Sequence, residues 1–266
     1  MNSFVRKTRA FTGSFYALML AYRAEIYLWV LAMVLPFIMM AVWSTAAQGG
    51  GLSKDPVGYA RYFLAVFIVR NFSVVWMIYD FEWHVVEGRL SIHLLRPASP
   101  LWHYVTAHIA EQMARAPFFA VIVILFFCIF PQAIWVPTPF AIVGGVVCIY
   151  FAFALRFVLQ WCFAMLSFWY ERAASIEQLQ MLPYYFLGGF VAPLSDFPEP
   201  VRKFAELTPF PYVVNFPARI LIGEITLQSP EFHRGLLIMA AWFAGLFVLA
   251  SILWRRGLKH YSGQGA

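Results

Sequence analysis

The sequence predicts an all-α membrane protein with six transmembrane helices, an amphipathic interfacial helix at the N-terminus and short amphipathic helices dipping into an interface before the last span. Three observations carry this reading. Of 266 residues, 62% are hydrophobic and only 12% are charged, against about 45–50% and about 25% in soluble domains. Aromatics reach 19% and mean hydropathy is +0.71, more apolar surface than one soluble core of this size can hide. The apolar residues also cluster in runs of spanning length. Six helices of ~20 residues use about 120 residues. The rest is scattered in pieces too short for a soluble domain, so residues 1–266 read as a single transmembrane domain. An ordinary cytosolic enzyme and a disordered tail are both excluded.

Residues 1–25 carry Arg6, Lys7, Arg9 and Arg23, while Phe4, Phe11, Phe15, Leu18 and Tyr22 recur at helical spacing. That pattern predicts a helix lying among inner-leaflet headgroups. The first span is 26–47. A signal peptide cleaved near Ser44-Thr45-Ala46-Ala47 is the rival, but 22 apolar residues exceed an h-region of ~7–15. A Gly-rich loop, 48–58, leads to the second span, 59–79, with Arg70 near its middle. The dense charged stretch 80–89 follows. Residues 101–115 form a mixed helix that feeds the third span, 117–130. After a turn at 131–139 comes the fourth span, 140–170, which carries Arg156 and is closed by Glu171 and Arg172. The fifth, 175–194, is weakened by Pro183, Gly188, Gly189 and Pro193. Segment 197–234 alternates prolines, charges and apolar residues, as short interfacial helices do. The sixth span, 235–254, runs directly into Arg255, Arg256 and Lys259.

The net charge of +6 could suggest nucleic acid, but in so apolar a chain it follows the positive-inside rule. With the N-terminus inside, eleven basic residues are cytoplasmic: Arg6, Lys7, Arg9, Arg23, Arg89, Arg96, Arg115, Arg172, Arg255, Arg256 and Lys259. Six are outside: Lys54, Arg61, Arg202, Lys203, Arg219 and Arg234. Both termini are therefore expected in the cytoplasm. Arg70 and Arg156 remain in the membrane, where a charge on a lone helix costs at least ~2.5–3.5 kcal/mol. Each should face a helix interface or a wet cavity, not lipid. One reading is a substrate path or an inter-subunit polar contact; the other is a structural pair or a bond to backbone carbonyls. Gln160, one turn from Arg156, shares its face.

Chemistry-bearing motifs are sparse. Cys128, Cys148 and Cys162 are odd in number, lie in apolar runs and show no C-x-x-C spacing, so no disulfide or zinc framework is implied. His103 and His108 are five residues apart and share a helix face poorly, so no metal site is expected, and His84, His93, His103, His108 and His260 read as interfacial. No catalytic motif occurs. No G-x-x-x-x-G-K-[ST] pattern occurs either, so any ATP-driven work needs a partner's nucleotide site.

The stretch Glu87-Gly88-Arg89-Leu90-Ser91-Ile92-His93-Leu94-Leu95-Arg96-Pro97 stands apart. Ser91 is a candidate N-cap and Pro97 disfavours helix at Arg96. Between them fits a one- or two-turn cytoplasmic helix, apolar at Leu90, Leu94 and Leu95 and basic at Arg89 and Arg96. Such a helix can be presented to a cytoplasmic partner or be an ordinary interfacial loop. Phe81-Glu82 with Glu87 to Ser91 and Leu94 to Pro97 resembles the first cytoplasmic loop of ABC-2-type exporter permeases, in particular the six-span bacterial subgroup that works with a separate ATPase subunit. Glu171-Arg172-Ala173-Ala174-Ser175 agrees. So do Pro193-Leu194, Phe197-Pro198, Pro209-Phe210, Tyr212, Phe216-Pro217 and Leu221-Ile222-Gly223.

The resemblance implies a transport subunit, not an enzyme, in the bacterial inner membrane. It would pair with a second permease, identical or related, and with a cytoplasmic ABC ATPase holding ATP and Mg. Residues 87–97 would be the coupling helix, with Glu87, Gly88, Arg89, Leu90, Ser91, Leu94, Leu95, Arg96, Glu171 and Arg172 as coupling residues. Segment 197–223 would be the re-entrant outer helices, and Arg70, Arg156 and Gln160 would border the translocation path. Two other classes stand against this. A lipid-modifying intramembrane enzyme needs a convergent acid/base or metal group, which is not found. A secondary transporter should show internal repeats, and none is clear.

Overall fold

The computed structural model describes residues 3–21, 35–96 and 98–261. The expected start of the first span at residue 26 lies outside them, as do Tyr22, Arg23 and Pro97. The described chain is helical, with no strand: α1 (Ser3–Ala21), α2 (Leu35–Ala47), α3 (Pro56–Ser73), α4 (Met77–Val86), α5 (Leu90–Leu94), α6 (Pro100–Ile129), α7 (Pro139–Ala164), α8 (Ala173–Leu187), α9 (Glu199–Glu206), α10 (Phe210–Val213), α11 (Asn215–Leu221) and α12 (Pro230–His260).

Proline sets many of the starts. Pro56, Pro100, Pro139 and Pro230 each open a long helix, because proline's fixed φ and missing N–H suit the first turn. Asp55 and Thr138 add side-chain caps, accepting from Gly58 N at 3.0 Å and Ala141 N at 3.1 Å. Among the described residues, four stretches are long and apolar enough to cross a bilayer: Pro56–Val86, Pro100–Ile129, Pro139–Phe168 and Pro230–His260. At ~1.5 Å per residue, each exceeds a ~30 Å hydrocarbon core. The second span begins three residues earlier than expected, at Pro56, and the mixed helix expected at 101–115 is continuous with the third span in one helix, Pro100–Ile129. α2 and α8 are shorter.

The bundle has two distinct ends. At one, Lys54 pairs with Glu224 and the Tyr59 hydroxyl donates to Asp196. At the other, Ser91 meets the Tyr261 hydroxyl at 3.1 Å and Trp169 stacks on His260. α3 is the central helix, with Tyr59, Tyr62, Phe63, Leu64, Val66 and Val69 all buried. α12 sits at the edge: only 17% of its apolar window is buried, and it leaves Leu237, Phe247 and Val248 exposed. Apolar surface of that kind belongs against lipid.

The second span is not continuous. α3 stops at Ser73 and α4 begins at Met77, which frees backbone groups that no bilayer could satisfy. A polar stripe on α6 at i, i+4 and i+7 supplies partners. Trp76 N donates to His108 Nε2 at 2.9 Å, Gln112 Nε2 donates to Phe72 O at 2.8 Å, and Arg115 Nη2 lies 3.4 Å from Asn71 O. Arg115 is thereby buried, away from the exposed cytoplasmic position expected for it. Replacing Gln112 by Leu strands the Phe72 carbonyl and should cost about 1–3 kcal/mol. Thermal unfolding in detergent checks this, against an unchanged Gln178→Leu control on the exposed side of α8.

Candidate functional site

At the end where α4 stops, Gly88 adopts φ +68°, the left-handed turn that glycine accepts without strain. The chain reverses there into α5. Leu90 is fully buried, whereas Ile92, Leu94 and Leu95 are exposed, Leu95 at 88%. The three leucines predicted as one apolar face therefore divide: Leu90 anchors, and Leu94 and Leu95 are presented. Arg89 lies over the Trp83 ring at 4.3 Å. Glu87 and Arg96 are exposed. Ser91 is not the N-cap. That position is Arg89, which makes no capping bond. The Ser91 hydroxyl instead donates to Gly88 O at 3.1 Å and meets Tyr261, tying α5 to the end of α12. The reason is geometric: α5 starts two residues earlier, at Leu90, so Ser91 is already inside the helix.

Beneath α5 lies a row of imidazoles. His93 Nε2 is 3.3 Å from His84 Nε2, and the His93 and His103 rings are 4.5 Å apart. His84 Nδ1 meets the Tyr104 hydroxyl at 2.7 Å. Phe11 and Phe15 of α1 pack edge-on against His103, and Trp102 Nε1 donates to Thr8. Burial, and then the Arg96 charge, push the His93 imidazole below its ordinary 6.5. It is therefore neutral at pH 7. A lowered histidine stabilises the fold above its unfolded pKa, so this seat is fully stable above about pH 6.5 and weakens as pH falls. No group of three or more metal-ligating side chains occurs among the described residues. Sequence spacing did not reveal this row, because its three members sit on three different helices.

Glu82 carries the second link at this end. Its Oε2 accepts from Ala174 N at 2.6 Å, an N–H of α8's first turn that no helical carbonyl reaches. Glu171 and Arg172, both exposed, are held by this bond at the same end as residues 87–96.

The buried arginines lie deeper. Arg156 is 2% exposed and Glu177 fully buried. Arg156 Nη2 donates to Glu177 Oε1 at 3.0 Å and Nη1 to Gln180 Oε1 at 2.8 Å. Gln160 Nε2 donates to the same Glu177 oxygen at 3.2 Å, and the guanidinium lies 4.2 Å from the Tyr184 ring centroid. Arg70, 9% exposed, bonds the Tyr185 hydroxyl at 3.1 Å and faces the Phe190 ring. Both arginines are shielded from lipid. The structure brings Arg156 and Gln160 together, while Arg70 stands apart on the next tyrosine along. Glu177 is the member the sequence reading missed. Its signal was the single charged residue of the fifth segment, 175–194.

The family described as ABC-2 family transporter protein matches residues 55–265, which takes in every helix from α3 to α12. The chain belongs to the ABC-2 transporter family. A search of curated proteins finds no match. As a member of that family it is a multi-pass membrane permease, a transport subunit of an ABC transporter. The match covers the α4–α5 turn, the Arg156–Glu177 cluster and the segment before α12. In this ABC-2 permease that last segment folds as the short helices α9, α10 and α11, at the end opposite α5. There Arg219 pairs with Glu224 and Glu231, each at 3.0 Å. Arg219 and Glu231, with Arg202, Glu206 and Arg234, line a cavity of about 370 Å³.

Proposed function

We propose that this permease is the membrane half of an ATP-driven exporter of the bacterial inner membrane, seated on a separate cytoplasmic ABC ATPase and paired with a second permease. The observation that carries the reading is α5. It is held rigidly from below by Leu90, Ser91 and His93, yet it offers Leu94 and Leu95 to solvent. A rigid element with an exposed apolar tip is what transmits motion from a partner. Residues 87–97 are the coupling helix in this reading, and Glu171 and Arg172 are the second contact. The missing Walker A pattern assigns ATP and Mg to the partner.

In this reading the chain crosses six times, with the segment ending in α2 first and α8 fifth, and both termini are cytoplasmic. α1 lies in the inner interface, and α9 to α11 form the re-entrant outer segment. Arg70, Arg156 and Gln160 belong to a polar seam that α8 covers. Support for a seam that opens comes from its unpartnered buried atoms: Arg70 Nη1, Gln160 Oε1, Glu177 Oε2 and Gln180 Nε2. Half-satisfied networks are costly when permanently closed.

The test is gentle purification from the native membrane, identification of bound proteins, and ATP hydrolysis assays. A bound ATPase, with hydrolysis by the complex and none by the isolated chain, is the expected result. Hydrolysis by the pure chain overturns the reading.

A further inference from the structure

A second feature lies at the α5 end, on the outside of the bundle. α12 crosses the 165–168 turn very closely, because Gly257 has no side chain: a Cβ there would clash with the Phe168 ring. Beside this crossing a groove of about 500 Å³ opens between the end of α7 and the end of α12. Leu166, Leu253 and Trp169 form its apolar part, and Arg256, Lys259 and His260 its polar part. No carboxylate lines it, and neither Arg256 nor Lys259 has an ion-pair partner among the described residues.

The order of residues along α12 says what fits. Leu249, Ile252, Arg256 and Lys259 follow at i, i+3, i+7 and i+10, one face of a helix. Leu249 and Ile252 are exposed, and so are Arg256 and Lys259. Along one stripe the exposed surface therefore changes from apolar to cationic at the end of a bilayer-length helix. Trp169 and Tyr170 stand at the same level, where amphipathic rings favour the membrane–water boundary.

We infer that this groove binds one anionic phospholipid, with the acyl chains along Leu249 and Ile252 and the phosphate against Arg256 and Lys259. A protein partner would need no apolar column extending to mid-membrane. The continuity of that column with a pair of unpaired cations favours a lipid, in keeping with basic pockets between membrane helices.

The experiment uses the full chain purified in a neutral detergent. Dioctanoyl phosphatidylglycerol and dioctanoyl phosphatidylcholine are titrated separately, and bound lipid is counted by native mass spectrometry. The expected result is one tightly held phosphatidylglycerol, at least tenfold preferred over phosphatidylcholine. Arg256→Gln with Lys259→Gln should weaken it roughly tenfold or more, whereas Arg202→Gln with Lys203→Gln, the same charge change at the opposite end, should not. Both positions are exposed and lie outside the packed core, and the single Lys259→Gln variant should give an intermediate affinity. Equal retention of both lipids, equal loss in both double variants, or displacement by inorganic phosphate alone would overturn the inference.

Discussion

Glu177→Leu should destabilise the protein by about 3–5 kcal/mol, the cost of leaving a buried charge without its partner. Arg156 would keep Gln180 and the Tyr184 ring, but no anion would remain to balance a guanidinium that is 2% exposed. The expected readout is a large fall in thermal unfolding temperature in detergent and poor recovery from the membrane. Arg156→Leu combined with Glu177→Leu should regain most of the loss, since replacing a whole buried pair by apolar residues is often neutral or stabilising. Glu199→Leu, which breaks the exposed Lys203–Glu199 pair on α9, should change little. A double variant as unstable as the single one would mean that the pair is not the unit of stability. If the double variant is stable but transport-dead, the seam is functional and not only structural.

Leu95→Asp should leave the permease folded and abolish its productive union with the ATPase. Leu95 is 88% exposed and touches no core, so the spans are untouched. At a partner's apolar surface, however, the new carboxylate would be buried unpaired, which is strongly disfavoured. Loss of a central apolar contact of this kind typically exceeds 2 kcal/mol, or roughly thirtyfold in affinity. Leu94→Asp should act in the same direction. Co-purified ATPase and substrate-stimulated hydrolysis are the measurements, with Val136→Asp as the control, an equally exposed apolar residue beyond the opposite ends of the long helices. Equal assembly and equal hydrolysis in Leu95→Asp and Val136→Asp would remove residues 87–97 from the coupling role.

The choice of Leu95 illustrates what spacing alone leaves open. Leu90, Leu94 and Leu95 share an apolar face on paper, yet burial separates an anchor from two presented residues. The same holds for Arg115, which reads as one of the cytoplasmic charges but is drawn inside to serve the backbone at the α3–α4 break. The break itself carries no proline or glycine between Ser73 and Met77, so nothing local announces it. It becomes affordable only because α6 brings Gln112 and His108 alongside.

What the sequence determined by itself was set by solvent and by local geometry. Long apolar runs need lipid, so helical class and the long spans could be read directly; the short helix is legible from Ser91 and Pro97, although its start falls at Leu90 and Ser91 is not its cap. An arginine in an apolar run must be shielded, so the burial of Arg70 and Arg156 followed from cost alone. Which group shields each one did not. Arg156 and Glu177 are 21 residues apart, His84, His93 and His103 sit on three helices, and Gly257 meets Phe168 across 89 residues. Such pairings depend on how helices cross, and crossing is decided by the summed packing of many side chains, which no single stretch of the chain encodes.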